Sequence, residues 1–164
     1  MANVNWKNAD GLFVKFGRNE GETGVAGEFR YHGPEAVAEF KLDLTSLGSD
    51  AVLDYNFVIP EGVRVSKVET VIEETPVSAG GANWNLGLWN ADTLAVFDAD
   101  GLIVAADGEI GGDAGVVTEY TNGSTDSGAE LGNVTASAYL LSASADTSTF
   151  SAGVLNVRVY YYKP

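Results

Sequence analysis

Apolar and polar residues alternate with a period of two through most of this chain, the pattern that a pleated strand with one buried face imposes on its sequence. Residues 36–44 place Ala36, Ala38, Phe40, Leu42 and Leu44 on one face and Glu39, Lys41 and Asp43 on the other. This stretch is rich in helix formers, but its apolar residues recur at every second position and not at three and four, so it is read as a strand. Residues 51–59 repeat the alternation, with Leu53, Tyr55, Phe57 and Ile59 against Asp54 and Asn56. In the last segment Leu155, Val157, Val159 and Tyr161 alternate with Asn156, Arg158, Tyr160 and Tyr162.

Weaker alternation marks Leu12 to Phe16, Val25 to Tyr31, Arg64 to Glu74, Trp84 to Trp89, Leu94 to Phe97, Val116 to Tyr120 and Val134 to Leu141. Turn residues separate these runs, among them Gly33-Pro34, Ser49-Asp50, Pro60-Glu61-Gly62, Gly80-Gly81 and Asn122-Gly123. Many short strands at this spacing predict an all-β sandwich or barrel. Residues 98–115 break the alternation and are expected to form a long loop carrying one short apolar run, Leu102 to Ala106. No Pro-rich linker, repeat or composition shift divides the chain, so one domain is expected over residues 12–164, preceded by an arm at residues 1–11.

A chain of 164 residues with 45% hydrophobic residues is long enough to bury a core; domains near this size bury roughly 70% of their unfolded surface. It has no Cys, which removes disulfides and thiolate metal sites. Nine Lys and Arg against 23 Asp and Glu give a formal net charge of −14. Such a chain is repelled by phosphate backbones and anionic membranes, so neither nucleic acid nor membrane is an expected partner. The excess acid is spread along the sequence without a block of like charge, which fits a solvated surface. The segment Met1 to Asn8 has neither the basic nor the apolar region of a secretory signal, and no apolar run is long enough to span a bilayer.

Candidate chemistry is sparse. The one histidine, His32, stands beside Gly33-Pro34 at an expected strand end and reads as a turn residue more readily than as a catalytic base. Glu73 and Glu74 are adjacent on an expected strand, so they point to opposite faces and cannot serve one glycosidase site. Asp98, Asp100 and Glu109 fall at the first, third and twelfth positions of a calcium loop. The apolar Leu102 and Ile103 occupy the fifth and sixth, where a ligand and a glycine are needed, so a solvated acidic turn is favoured and a looser calcium site stays open. Trp84, Trp89, Tyr139, Tyr160 and Tyr162 could stack sugars, but Trp84 and Trp89 are five apart and would face opposite ways on one strand, so at least one belongs to the core. No catalytic or cofactor-binding residue is assigned, and no enzyme activity is expected.

A more specific signal lies in Ile59-Pro60-Glu61-Gly62-Val63-Arg64-Val65-Ser66-Lys67-Val68-Glu69-Thr70-Val71-Ile72, followed by a Gly-rich link at Ser78 to Ala82 and then Trp84-Asn85-Leu86-Gly87-Leu88. This succession resembles the small structural proteins of tailed bacteriophages. The segment Asp10-Gly11-Leu12-Phe13-Val14-Lys15-Phe16-Gly17 is similar to the start of such chains, and Ala152-Gly153-Val154-Leu155-Asn156-Val157 with its Tyr-rich ending resembles their final strand. The resemblance covers about half the chain. It implies a jelly-roll-like β-sandwich of two antiparallel sheets acting as a decoration, or cement, protein on the outer capsid surface of a virion, bound to the major capsid protein and without a cofactor. Avidity across a repeating lattice would multiply a modest affinity at each contact. Trp6, Leu12 and Phe13 are the expected partner-binding residues, aromatic and aliphatic anchors ahead of the first regular strand. A homo-oligomer, with a trimer as the expected form, would suit clustering about a symmetry axis. A tail or fibre module and a carbohydrate-binding module are the alternative readings.

Overall fold

The structure is a computed structural model that describes the strands Val4–Lys7, Phe13–Phe16 and Gly27–His32 and the strand residue Asp107 by their backbone, and residues 35–53, 57–78, 80–106, 113–146 and 148–164 in full. The strands Val4–Lys7 (β1) and Phe13–Phe16 (β2) pair with each other in a two-stranded sheet of their own. Gly27–His32 (β3), Glu35–Asp43 (β4), Arg64–Ser78 (β7), Val117–Thr121 (β10) and Phe150–Tyr162 (β12) form one large antiparallel sheet in the order β10-β7-β12-β4-β3. Ala51–Val52 (β5), Val58–Ile59 (β6), Asn83–Asn90 (β8), Ala95–Asp107 (β9) and Tyr139–Asp146 (β11) form the other. In it β9 pairs β8, β8 pairs β11, and β5 and β6 lie in line along the far side of β11. A single 3₁₀ turn, Leu44–Ser46, is the one helical piece among the described residues.

From β4 onward the pairing is nested. β4 lies against β12, β5 and β6 against β11, β7 against β10, and β8 against β9. A long antiparallel ribbon folded over into two stacked sheets gives this order, and the expected all-β sandwich of two antiparallel sheets is present. The alternating faces meet between the sheets. Phe40 and Leu42 of β4 and Leu155, Val157 and Val159 of β12 are buried there, facing Trp84, Leu86 and Leu88 of β8.

Two expectations change. Residues 51–59 are not one strand: β5 and β6 are separate pieces, Phe57 and Ile59 reach the core, and Tyr55 lies outside the described residues. Residues 98–107 are not a loop but the larger part of β9. The alternation fails there because β9 bulges: Leu86 is opposite Ile103 while Leu88 is opposite Asp98, so β9 carries the longer stretch between the two pairs. The bulge lets the consecutive residues Leu102 and Ile103 both be fully buried, which no regular strand with one solvent face permits.

The connection from β10 to β11 closes one side of the sandwich. The amides of Gly128 and Glu130 donate to the carbonyls of Leu102 and Gly101 at 3.0 and 2.8 Å, and Val104 donates to Asp126 at 3.0 Å. The connection then runs beside β7 where β10 stops, with Gly132 donating to Val65 and Thr135 to Val63. The Thr135 hydroxyl is buried; it accepts from the Val63 amide at 3.1 Å and sits 2.8 Å from the Pro60 carbonyl, to which it donates. Thr135→Val keeps the shape but leaves a buried N–H without an acceptor, and is expected to lose about 1–3 kcal/mol of stability in urea titration. Thr135→Ser should retain most of it.

Candidate interaction surface

The two outer faces of the sandwich differ in charge. On the β10-β7-β12-β4-β3 sheet the charges are paired across strands. Arg158 of β12 donates through Nε to Glu39 of β4 at 3.0 Å and through Nη1 to Glu69 of β7 at 2.8 Å. Lys67 donates to Glu119 of β10 at 2.6 Å and lies over the Tyr160 ring, 4.6 Å from its centre. Lys41 donates to Glu73 at 2.5 Å. The hydrogen bond to Glu119, and then the surrounding carboxylates, raise the Lys67 ammonium above its ordinary value. Arg158 is raised in the same way by Glu69 and Glu39. These groups satisfy one another, and their arrangement is that of a cross-strand ladder, not of an open binding site.

The other sheet has no such ladder. From Val68 to Val157 the sequence contains no Lys, Arg or His, yet it holds thirteen of the 23 acidic residues. That stretch supplies β8, β9 and β11 entire, and β5 and β6 also lack a cation. The acid is thus spread along the chain, as the sequence suggests, but the cations are not; they gather on one sheet and in the N-terminal segment.

Asp98 sits in this cation-free region. Partial burial raises its carboxyl above the ordinary value, helped by the hydrogen bond that the protonated carboxyl donates to the Asp100 side chain and by the negative charges of Asp100 and Glu130. A raised carboxyl means that ionising Asp98 works against the folded state, so its contribution to stability falls as pH rises from the ordinary aspartate value through the folded one. Asp98→Asn is therefore expected to raise Tm at pH 7 by less than about 1 kcal/mol in stability terms, the scale of partly exposed charge pairs. The gain should vanish below the ordinary aspartate pKa, about pH 4.

Beside Asp98 is the one concentration of exposed large apolar side chains within a short segment of the described residues. Leu94, Val96 and Phe97 are 52%, 52% and 48% exposed. Leu94 closes the β8–β9 turn in a left-handed conformation, φ 53°. The turn is held by Asn90, whose side-chain oxygen accepts from the amides of Asp92 and Thr93 at 3.0 and 2.9 Å and whose carbonyl accepts from Leu94 at 3.0 Å. Val96 is opposite Trp89, and the Phe97 ring lies 4.6 Å from that of Tyr139.

The residues singled out from sequence do not assemble into one site. Trp6 lies in β1 opposite Val14, and Phe13 opens β2 opposite Lys7, while Leu12 is outside the described residues. Asp98 and Asp100 are neighbours on β9, with the Asp100 amide 3.4 Å from Asp98 Oδ1. Leu102 and Ile103 are buried between the sheets and Glu109 is outside the described residues, so the spacing of a calcium loop is not realised as one. Among the described residues no three carboxylate or imidazole groups gather as metal ligands. Trp84 and Tyr139 are core residues. Trp89 faces the opposite way from Trp84, as its spacing requires, and donates its indole N–H to Asp50 at 2.6 Å. Tyr160 and Tyr162 lie on the other sheet, so the five aromatics make no common platform for a sugar. Leu94 and Val96 were legible as an apolar run but not as exposed ones, because their exposure depends on β9 being an edge.

No protein-family model matches the chain, and no curated protein matches it in sequence. Solved structures do match its fold. A chain from the capsid of Ralstonia phage GP4 superposes with a TM-score of 0.53 at 13% identity, over 80% of this chain and 86% of that one. A chain from the cyanophage Pam1 capsid asymmetric unit superposes with a TM-score of 0.51 at 16% identity, over 91% of this chain and 98% of the other. At such identities the likeness is one of fold. It spans at least four fifths of each chain, so it concerns most of the sandwich and not a small shared fragment.

Proposed function

We propose that this protein is a structural component of a bacteriophage virion that decorates the outside of the capsid and stabilises it by binding the major shell protein. The observation that carries this reading is the fold likeness, over most of each chain, to chains found in two phage capsids. The absence of an assembled catalytic or sugar-stacking constellation among the described residues and the internally paired charge ladder favour a scaffold over an enzyme or a lectin-like module. Under this reading the N-terminal segment with Trp6, Leu12 and Phe13 reaches a neighbouring subunit, and copies group as trimers on the shell.

The test is the copy number of this chain relative to the major shell protein, measured by quantitative mass spectrometry of purified particles. A ratio of one per shell subunit, or a simple fraction of it, is expected. A handful of copies per particle would transfer the protein to the tail, and its absence from particles would overturn the virion reading. Trp6→Ala is expected to weaken particle binding without lowering Tm; the reverse pattern would show that Trp6 packs on its own domain.

A further inference from the structure

We propose that the open edge of β9 at residues 94–98 is the docking surface of this protein, and that its occupant is an extended segment of the shell protein carrying Lys or Arg among apolar residues. The inference rests on the decoration reading and adds to it which surface engages and what chemistry the shell must present.

Three independent observations converge on this edge. The first is its pairing. β9 hydrogen-bonds β8 on one side, and the β10–β11 connection covers its other side at residues 101–104. Among the described residues no strand pairs with that side at residues 95–98, so its outward N–H and C=O groups can accept an added strand.

The second is side-chain choice. Soluble proteins guard free edges with lysine, proline or inward charge, because an apolar edge templates association. Here the edge presents Leu94, Val96 and Phe97, each about half exposed. Leu94 is the sharpest case. A left-handed conformation costs a non-glycine residue about 1–2 kcal/mol, and an exposed leucine returns little of it through packing. Glycine or asparagine would serve the turn better, so the leucine is explained by a contact outside the fold.

The third is charge. The edge is flanked by Asp92, Asp98 and Asp100 in a sheet without one cation. A second copy brought edge to edge would set these carboxylates against their own kind. A cationic segment would relieve them, and the paired charges of the opposite sheet offer no equivalent attraction.

The experiment measures binding of the purified protein to shells assembled without it, using Leu94→Gly, Val96→Lys and Asp98→Asn, with Val117→Lys as the control. Val117 is equally exposed, at 57%, but lies on β10 at the edge of the other sheet. Leu94→Gly and Val96→Lys are expected to weaken binding at least about tenfold, as central apolar contacts do, while Val117→Lys binds like the unaltered protein. Leu94→Gly and Asp98→Asn should do so while raising Tm, a combination that a structural role would not produce. Binding should also weaken as salt rises.

Unaltered binding by all the edge variants would overturn the docking surface and leave the decoration reading intact. Failure of the unaltered protein to bind such shells would overturn both. Salt-independent binding would remove the cationic partner. A fall in the mass of the free protein in solution on Val96→Lys would show that the edge joins copies of this chain instead.

Discussion

Gly87→Ala should be among the most damaging single substitutions in this protein, with an expected loss of about 3 kcal/mol or more, at the upper end for inserting atoms into a packed interior. Gly87 stands in the middle of β8, opposite the bulge of β9. A Cβ there would lie 2.3 Å from the carbonyl oxygen of Ala99 and 2.5 Å from that of Asp98. Both are backbone atoms, so no side chain can swing aside. The bulge would have to lift, and with it the contacts that bury Leu102 and Ile103. Gly48→Ala is the matched control, since an added Cβ at Gly48 meets nothing within 4 Å and its backbone is not left-handed. It should leave stability unchanged or raise it by about 0.4–1 kcal/mol through the unfolded state. Urea denaturation of the two variants gives the comparison, and near-equal midpoints would show that β9 does not bulge over Gly87.

Trp84→Ala is expected to lose about 3–5 kcal/mol, the range for emptying a large aromatic site in a core. Trp84 is 2% exposed and sits between the sheets on β8. Its removal leaves a void that two hydrogen-bonded sheets cannot close by moving together. Trp89, on the same strand but the outer face, gives the contrast. Trp89→Phe keeps the ring's apolar cover and deletes one hydrogen bond to Asp50, which is expected to cost about 0.5–1.5 kcal/mol. Comparable losses from the two variants would contradict their placement on opposite faces.

That opposition was readable from spacing alone, as were the inward faces of β4 and β12, because a regular strand converts sequence parity directly into direction. The nested strand order could not be read from alternation, since parity says which face a residue takes and nothing about which strand lies beside it. β9 escaped for a related reason. Its Asp98-Ala99-Asp100-Gly101 run looks like a loop because a bulge breaks parity, and the partner that makes the bulge possible, Gly87, stands well apart in sequence.

The charge segregation was also present in the sequence, as the cation-free run from Val68 to Val157. It acquired meaning once β8, β9 and β11 were known to share a sheet. The exposure of Leu94, Val96 and Phe97 could not be read from alternation, because an edge is a property of the assembled sheet. Trp6 and Phe13, two of the residues proposed to reach a partner, lie in the two strands of a small separate sheet.

The nested pairing also governs how the protein can be made. β12 is synthesised after the two strands it lies between, β7 and β4, at the centre of its sheet. Until it arrives, both of those strands present unsatisfied edges across the gap that it will fill. Closure of this sheet therefore waits for β12 and depends on contacts between distant parts of the chain, the class of topology that folds in milliseconds to seconds and not microseconds. A nascent or truncated chain that stops short of Phe150 is an open sheet prone to aggregation.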